Sequence, residues 1–302
     1  MCRTRADARD RSARRKGLAI LHEAGLETVL LKGAAVAPLY YPPEAPRGMV
    51  DVDVLVRWED VPRAARKLCD AGWIQLNKIP SAADVAHAID FVNSHGHAID
   101  LHWFSLMECR WPGADDGLWR RTVPATLYGV PTRVPVATDL LWHLCLHGAR
   151  HDSSPWGWTS DAVTLLNVAG EQIDWDRIVD EACERRMVPA MASTLRFLRD
   201  QLDAAVPLNV LERLDRAPVS ISDRLLFHIK THARPGRFFL LCAWLDYLRF
   251  RRPRHWPAAA LEFPRFLQDR WGLQRLADLP AEVHRRVKRF LSKRRRSRSR
   301  GA

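Results

Sequence analysis

Apolar and polar residues alternate over residues 50–56, where valines occupy every second position and Asp51 and Asp53 stand between them. Successive side chains of a strand point to opposite faces, so this pattern predicts a strand with a buried valine face. Its other face presents two carboxylates together.

The same alternation recurs over residues 97–104, with Asp100 and His102 on the polar face. Residues 85–92 read as a further strand, and residues 93–96 as the turn of a hairpin that joins it to the first. The sequence therefore predicts a third carboxylate, Asp100, on a second acidic strand.

A β-prone apolar run over residues 28–31 precedes these strands and stops at Gly33. A helix is predicted from Ala34 to Tyr40, directly after the glycine. A strand, a glycine turn and a helix N-terminus form a suitable seat for a phosphate group, because the first backbone N–H groups of a helix are unpaired.

Helical spacing dominates the remaining chain, so we predict an α+β protein: a small mixed-sheet domain followed by a mostly α-helical one. In the first part, helices are expected over 11–24 and 59–71 and a strand over 73–77. In the second part, helices are expected over 138–151, 156–169, 174–186, 188–203, 221–232 and 237–250. The predicted divisions are a basic flexible N-terminus (1–16), an α/β domain (17–110), a connecting segment with a β-pair around Gly129 (111–136), a helical domain (137–284) and a basic disordered tail (285–302) that begins as a helix.

The charge of the chain is unevenly distributed. Its 302 residues carry a formal net charge of +12, but residues 1–16 hold +5 and residues 285–302 hold +10, so the rest is slightly acidic at −3. A block of like charges repels itself and is typical of a flexible arm. The C-terminal block is compatible with a nucleic-acid partner or with a tail that only aids solubility.

Six scattered cysteines form no Cys-x-x-Cys pair, and no run approaches the roughly 18 apolar residues of a membrane span. The basic N-terminus lacks the apolar core of a secretory signal. We therefore expect a cytoplasmic protein with reduced thiols and no membrane span.

Asp51 and Asp53 are the strongest candidates for chemistry. Two carboxylates two residues apart on a strand repel each other, and a divalent cation commonly relieves that repulsion. The alternative is an ordinary half-buried strand with a solvated acidic face. The same alternative applies to Asp100; for Gly33 the alternative is a plain turn glycine, and for Lys32 and Arg47 it is an ordinary surface charge.

The order of these features resembles the nucleotidyltransferase superfamily that includes DNA polymerase β. A closer resemblance is to a bacterial group of uncharacterised nucleotidyltransferase family proteins. It rests on elements that occur here in the same order: Leu31-Lys32-Gly33, Tyr41-Pro42, Arg47, Asp51-Val52-Asp53-Val54-Leu55-Val56 and Asp100-Leu101-His102-Trp103. The likeness is strong from about residue 18 to residue 103 and weaker to Asp161.

This resemblance implies a metal-dependent enzyme that moves a nucleoside monophosphate from a nucleoside triphosphate, with ATP as the expected donor, to a hydroxyl acceptor. The acceptor is a small molecule, a protein or an RNA end, and the displacement is in line at phosphorus with two metal ions, Mg²⁺ or Mn²⁺. Asp51, Asp53 and Asp100 are the implied metal ligands and catalytic carboxylates.

The resemblance also implies which residues contact the substrates. The nucleotide-binding candidates are Lys32, Gly33, Ala34 and Arg47, and the candidates for acceptor or phosphate contacts are His102, His147, His151 and Asp161. Ala34 departs from the superfamily, in which a serine often follows the glycine, so a hydroxyl contact to phosphate is missing here.

Two other functional classes stay open: a catalytically weak relative that binds nucleotide, and a nucleic-acid-binding protein led by its basic tail. A zinc site built from His143, Cys145, His147 and His151 is disfavoured, because Cys145 points away from the helix face that His147 and His151 share.

Overall fold

The structure is a computed structural model, and it describes residues 15–44, 47–49, 51–80, 82–149, 155–232, 238–251 and 256–298. Compact packing divides the chain into two units. The first comprises residues 1–79 and 86–218, and the second comprises residues 80–85 and 219–302. Every residue of the site described below belongs to the first unit.

The first unit contains a mixed sheet of seven strands in the order β3-β4-β5-β2-β1-β7-β6. Neighbouring strands are antiparallel except for two parallel pairs, β2 with β5 and β1 with β7. The strands are β1 (Val29–Leu30), β2 (Asp51–Leu55), β3 (Ile74–Gln75), β4 (Ala88–Val92), β5 (Ala98–His102), β6 (Val123–Leu127) and β7 (Val130–Val134).

Nine α-helices of the described chain belong to this unit. They are α1 (15–23), α2 (Lys32–Tyr40), α3 (Val61–Asp70), α4 (Asp116–Arg121), α5 (Ala137–Gly148), α6 (Pro155–Ala169), α7 (Trp175–Glu184), α8 (Val188–Leu202) and α9 (Leu208–Arg216). The second unit is helical, with α10 (Ile221–His232), α11 (Phe239–Arg251), α12 (Trp256–Arg270) and α13 (Leu279–Arg298). Across the described residues, none of the helices combines the length and the apolar character that a bilayer crossing needs.

The predicted α+β class is confirmed. Strand β2 lies in the middle of the sheet, where its apolar side is buried. Val52 and Val54 on that side are at most 4% exposed, and Leu55, at the end of the opposite face, is buried as well. Leu55 packs with Val29 and Trp119 in one apolar cluster. The sheet can therefore hold the polar residues of β2 on a rigid support.

The predicted β-pair around Gly129 is confirmed, and the sequence did not predict where it attaches. Tyr128 and Gly129 have positive φ values of 55° and 74° and turn the chain between β6 and β7. β7 then pairs in parallel with β1 through Val29 and Arg133. The segment expected to be a connection thus supplies two strands of the sheet.

Some predicted bounds are corrected by the structure. The helix expected from Ala34 begins at Lys32, so Gly33 lies inside its first turn rather than in a preceding loop. Helices α4, α9 and α12 had no counterpart among the predicted elements, and α13 stays helical through Arg298. The short lengths of α4 and α9 left too little periodicity to recognise. The predicted domain bounds stay a prediction.

Helices α5 and α6 approach each other closely at Gly148. A Cβ atom on Gly148 would come within 2.1–2.6 Å of three ring atoms of Trp158, whereas a Cβ on Gly170 would meet no atom within 4 Å. The small residue therefore permits this helix contact.

We expect Gly148→Ala to lower the free energy of unfolding by about 1–3 kcal/mol, because the tryptophan ring must shift within packed surroundings. Guanidinium unfolding followed by circular dichroism measures the change. Gly170→Ala is the matched control and should leave stability within about 1 kcal/mol of the wild type. Equal stability of the two variants would contradict the packing described here.

Candidate active site

Four carboxylates lie on one face of the sheet at its centre. Asp51 and Asp53 share a face of β2 because they are two residues apart. In the strand register, Asp53 is opposite Asp100 of β5, and Asp100 is opposite Asp90 of β4. The structure thus brings together the three predicted carboxylates and adds Asp90. Asp90 alternates with Ile89 and Phe91 in a predicted strand, and that alternation was the signal for it.

Lys32 partly neutralises this acidic face. Its ammonium group donates a hydrogen bond to Oδ1 of Asp53, and the two side chains are 18% and 5% exposed. Burial by itself would raise the pKa of Asp53, but the Lys32 charge and the His102 hydrogen bond together hold that pKa well below its usual range. Asp53 is therefore an anion at any pH at which the protein would work.

His102 contacts the same carboxylate oxygen from the other side. Its Nε2 lies 3.0 Å from Oδ1 of Asp53, and its Nδ1 lies 3.3 Å from the carbonyl oxygen of Phe104. A carbonyl oxygen and a carboxylate oxygen both accept hydrogen bonds, and a neutral imidazole carries only one N–H. A metal ion bound at Nε2 would leave the ring proton on Nδ1, where it can be donated to the carbonyl oxygen of Phe104.

Burial and the neighbouring carboxylates raise the pKa of Asp100. Desolvation, a hydrogen bond with Asp90 and the charges of Asp53, Asp90 and Asp51 raise the pKa of Asp100 to about 8. Desolvation and the charge of Asp53 also raise the pKa of Asp51. Without an added cation, the face holds more negative charge than its neighbours compensate.

These residues fit a divalent cation. One donor atom each of Asp53, Asp100 and His102 lies within 4.8 Å of the other two, and the described residues contain no other such group of three or more. Asp51 lies outside that group, and His102, expected as an acceptor or phosphate contact, lies in it. Two carboxylate oxygens and one imidazole nitrogen suit Mn²⁺ and, with water ligands, Mg²⁺.

A second polar cluster fixes Arg47 beside helix α2. Nε of Arg47 donates to Oδ1 of Asp161 at 2.6 Å, and the hydroxyl of Tyr41 donates to the same oxygen at 3.0 Å. Asp161 is 1% exposed. A Cβ atom on Gly33 would lie 2.3 Å from Nη1 of Arg47, so only glycine lets the guanidinium rest against the first turn of α2.

The predicted histidines are distributed around this region. His143 is buried on α5, and neither of its ring nitrogens has a hydrogen-bond partner among the residues that the structure describes. Burial, followed by the charges of Lys32 and His147, lowers the pKa of His143 well below its ordinary value, so its ring is neutral. His147 is half-buried near the end of α5. His151 lies outside the described residues.

The raised pKa of Asp100 predicts how stability depends on pH. Between its ordinary pKa of 3.8 and about 8, the folded protein keeps a proton that the unfolded chain releases, so stability falls as pH rises through this window. In chelator-treated protein, we expect Asp100→Asn to flatten this decline. Urea unfolding at pH 5, 6, 7 and 8 measures it, and an unchanged slope would contradict the assigned pKa.

Several solved structures are similar to part of the chain. A solution structure of the antibiotic-resistance factor ANT(2″)-Ia matches with a TM-score of 0.42 and 14% identity, covering 55% of this chain and 87% of its own. A crystal structure of ANT(2″)-Ia in complex with adenylyl-2″-tobramycin matches with a TM-score of 0.41 and 14% identity, covering 58% and 96%. A nucleotidyltransferase-like antigenic protein from Paracoccidioides brasiliensis matches with a TM-score of 0.41 and 13% identity, covering 70% and 94%.

No curated protein matches the chain. A family model described as an uncharacterised nucleotidyltransferase matches residues 15–203, which is more than half of the chain and includes both polar clusters. The chain therefore belongs to this nucleotidyltransferase family and is a transferase enzyme.

Proposed function

We propose that the protein transfers a nucleoside monophosphate from a nucleoside triphosphate to a hydroxyl-bearing acceptor with the help of a divalent cation. One observation carries this proposal: Asp53, Asp100 and His102 place three donor atoms within 4.8 Å of one another, on a face with excess negative charge. ATP is the expected donor nucleotide, and a cytoplasmic location remains an expectation.

Asp53, Asp100 and His102 would hold the cation, with Asp51 at the exposed edge of the same face. Mg²⁺ and Mn²⁺ are the candidates. When bound, such an ion stabilises the charge that develops on attacking and leaving oxygens during phosphoryl displacement. The neighbouring Asp51 carboxylate, which keeps its own access to solvent, is the natural ligand for a second ion that arrives with the triphosphate.

The phosphates would lie at the N-terminus of α2. The first turn of this helix comprises Lys32, Gly33 and Ala34, and unpaired amides at a helix N-terminus favour anions. Arg47 lies against Gly33 and offers a planar fork for phosphate oxygens. These amides and charges would replace the contact of the hydroxyl that Ala34 lacks.

Asp100 is the proposed base for the acceptor hydroxyl. Without a cation its pKa is raised to about 8, and a bound cation would lower that pKa and keep the carboxylate ionised, as a proton acceptor must be. A carboxylate in hydrogen-bond reach of the hydroxyl can take or orient its proton. His147 and His151 remain proposed acceptor contacts, whereas the contacts of Asp161 favour a role in holding Arg47.

The charge-neutral double variant Asp51→Asn/Asp53→Asn tests the cation site. Each substitution removes a negative charge with little change in volume, so we expect metal-dependent binding of nucleoside triphosphate to fall by at least about 100-fold, beyond the 10–100-fold typical for outer-shell partners of a metal. Calorimetric titration of ATP, GTP, CTP and UTP, each with and without Mg²⁺ or Mn²⁺, measures the change.

The matched control is Asp70→Asn, an exposed carboxylate at the end of α3. It should bind nucleotide and metal as the wild type does. Circular dichroism establishes that all variants are folded. Metal-dependent binding retained in the double variant would refute the proposed site.

Gly33→Ala and Asp161→Asn test the phosphate site by two independent routes. The first inserts a methyl group where the Arg47 guanidinium lies, and the second removes the charge that holds this guanidinium. We expect each to weaken triphosphate binding on the order of tenfold, the usual range for one charge-assisted contact. Binding of Mn²⁺ alone should not change.

In Gly33→Ala the helix should remain stable, because alanine is a better helix former than glycine. Loss of nucleotide binding without loss of stability is therefore the expected signature in calorimetry and thermal unfolding. Unchanged triphosphate affinity in both variants would rule out Arg47 as a phosphate ligand.

A partner for the basic C-terminal segment remains an alternative. Helix α13 includes Arg285, Arg286 and Lys288, and the chain beyond them is rich in arginine. Such a helix is suited to contact with nucleic acid through phosphate groups. A catalytically weak relative that only binds nucleotide also remains open.

A further inference from the structure

Lys32 is held in an uncommon conformation that directs it toward the acidic face. It is one of four non-glycine residues in the described chain with a positive φ, which is 46°. Non-glycine residues enter this region at a conformational cost, and such strain is frequently found at functional sites. The residue lies where β1 ends and α2 begins, and its ammonium group contacts Asp53 on the neighbouring strand β2.

The ammonium of Lys32 and a metal ion would compete for the same carboxylate. Lys32 donates to Oδ1 of Asp53, the oxygen that His102 also contacts. A divalent cation bound by Asp53 and His102 would therefore come next to the ammonium, and like charges at such short range repel each other strongly. The metal ion and the ammonium group would therefore each weaken the binding of the other to Asp53.

We infer that Lys32 is a displaceable internal counter-ion: it neutralises Asp53 in the metal-free enzyme and leaves that carboxylate when the metal binds. This inference rests on the proposed function and adds an order to it. The released ammonium sits on the first residue of α2, beside the proposed triphosphate site. Lys32 therefore links the arrival of the metal to the binding of phosphate.

The neighbouring groups support movement of Lys32 rather than of Arg47. Arg47 is bound to Asp161, which is also held by Tyr41, so its guanidinium is fixed. The groups that influence Asp53 and lie around Lys32 are Asp51, His102 and the neutral ring of His143. The side chain of Lys32 is 18% exposed, which leaves it a path toward solvent and an incoming anion.

The inference predicts opposite effects of one substitution on two ligands. Lys32→Met removes the competing charge, so it should tighten binding of Mn²⁺ alone by on the order of tenfold. The same variant should bind ATP in the absence of metal more weakly than the wild type. Electron paramagnetic resonance of free Mn²⁺ measures the first affinity, and calorimetry measures the second.

Two further variants complete the set. Lys67→Met removes an exposed lysine of α3 and should alter neither affinity. Lys32→Arg keeps the competing charge and adds a fork that suits a carboxylate, so it should bind Mn²⁺ no more tightly than the wild type. Circular dichroism reports whether each variant is folded.

Chemical labelling of the wild type gives a test that needs no substitution at Lys32. Brief acetylation with acetic anhydride, followed by mass spectrometry, reports the accessibility of Lys32 relative to Lys67. Mn²⁺ should raise the relative labelling of Lys32 several-fold, because its ammonium leaves Asp53, and this rise should be absent in Asp53→Asn.

The outcomes separate this inference from the proposed function. If the wild type binds Mn²⁺ through Asp53 but Lys32→Met binds it equally or more weakly, or if labelling of Lys32 does not respond to Mn²⁺, the counter-ion role is overturned and the metal site stands. If neither the wild type nor Lys32→Met binds Mn²⁺, both the inference and the proposed metal site fail. Tighter binding in Lys32→Met with metal-dependent labelling supports the inference.

Discussion

Electrostatic repulsion among carboxylates on one face of the sheet is the constraint around which the rest of the site is organised. Asp51, Asp53, Asp90 and Asp100 occupy neighbouring positions on β2, β4 and β5. Unit charges about 4 Å apart interact by roughly 1 kcal/mol in water and by about 4 kcal/mol near a protein surface. Such a face exists only because positive groups or bound protons compensate it.

The chain compensates this charge in two different ways. The ammonium group of Lys32 contacts Asp53 and keeps that carboxylate ionised. A proton shared near Asp90 and Asp100 removes charge farther along the face, because the pKa of Asp100 is raised to about 8. The site therefore contains one carboxylate that stays ionised, Asp53, and one carboxyl group, Asp100, that gains or loses a proton near neutral pH.

The phosphate side of the site depends on helix packing rather than on the sheet. Asp161 belongs to α6, which lies in the same compact unit as the sheet. It is buried and holds Arg47 against the first turn of α2. The glycine there is required by the close approach of a guanidinium, since its backbone is in an ordinary helical turn. The proposed nucleotide site therefore depends on this packing.

The sequence by itself determined the β2 and β5 strands and which residues of each strand share its polar face. Alternation with a period of two leaves no choice of face once the valines are buried, so Asp51, Asp53 and Asp100 could be identified from spacing. The same alternation marked Asp90 only after the register of β4 was known. The alternation of apolar and polar residues is a local property of the sequence, so it can be recognised without knowledge of the rest of the chain.

Only the tertiary structure decided which groups meet across long separations. The pairing of Lys32 with Asp53, the contact of Arg47 with Asp161 and the attachment of β7 to β1 join residues 21, 114 and about 100 positions apart. No local pattern encodes such contacts, because each depends on how strands order themselves and on which helix packs beside them. The start of α2 at Lys32 belongs to the same class: a positive φ at a lysine is tolerated because Asp53 holds the side chain there.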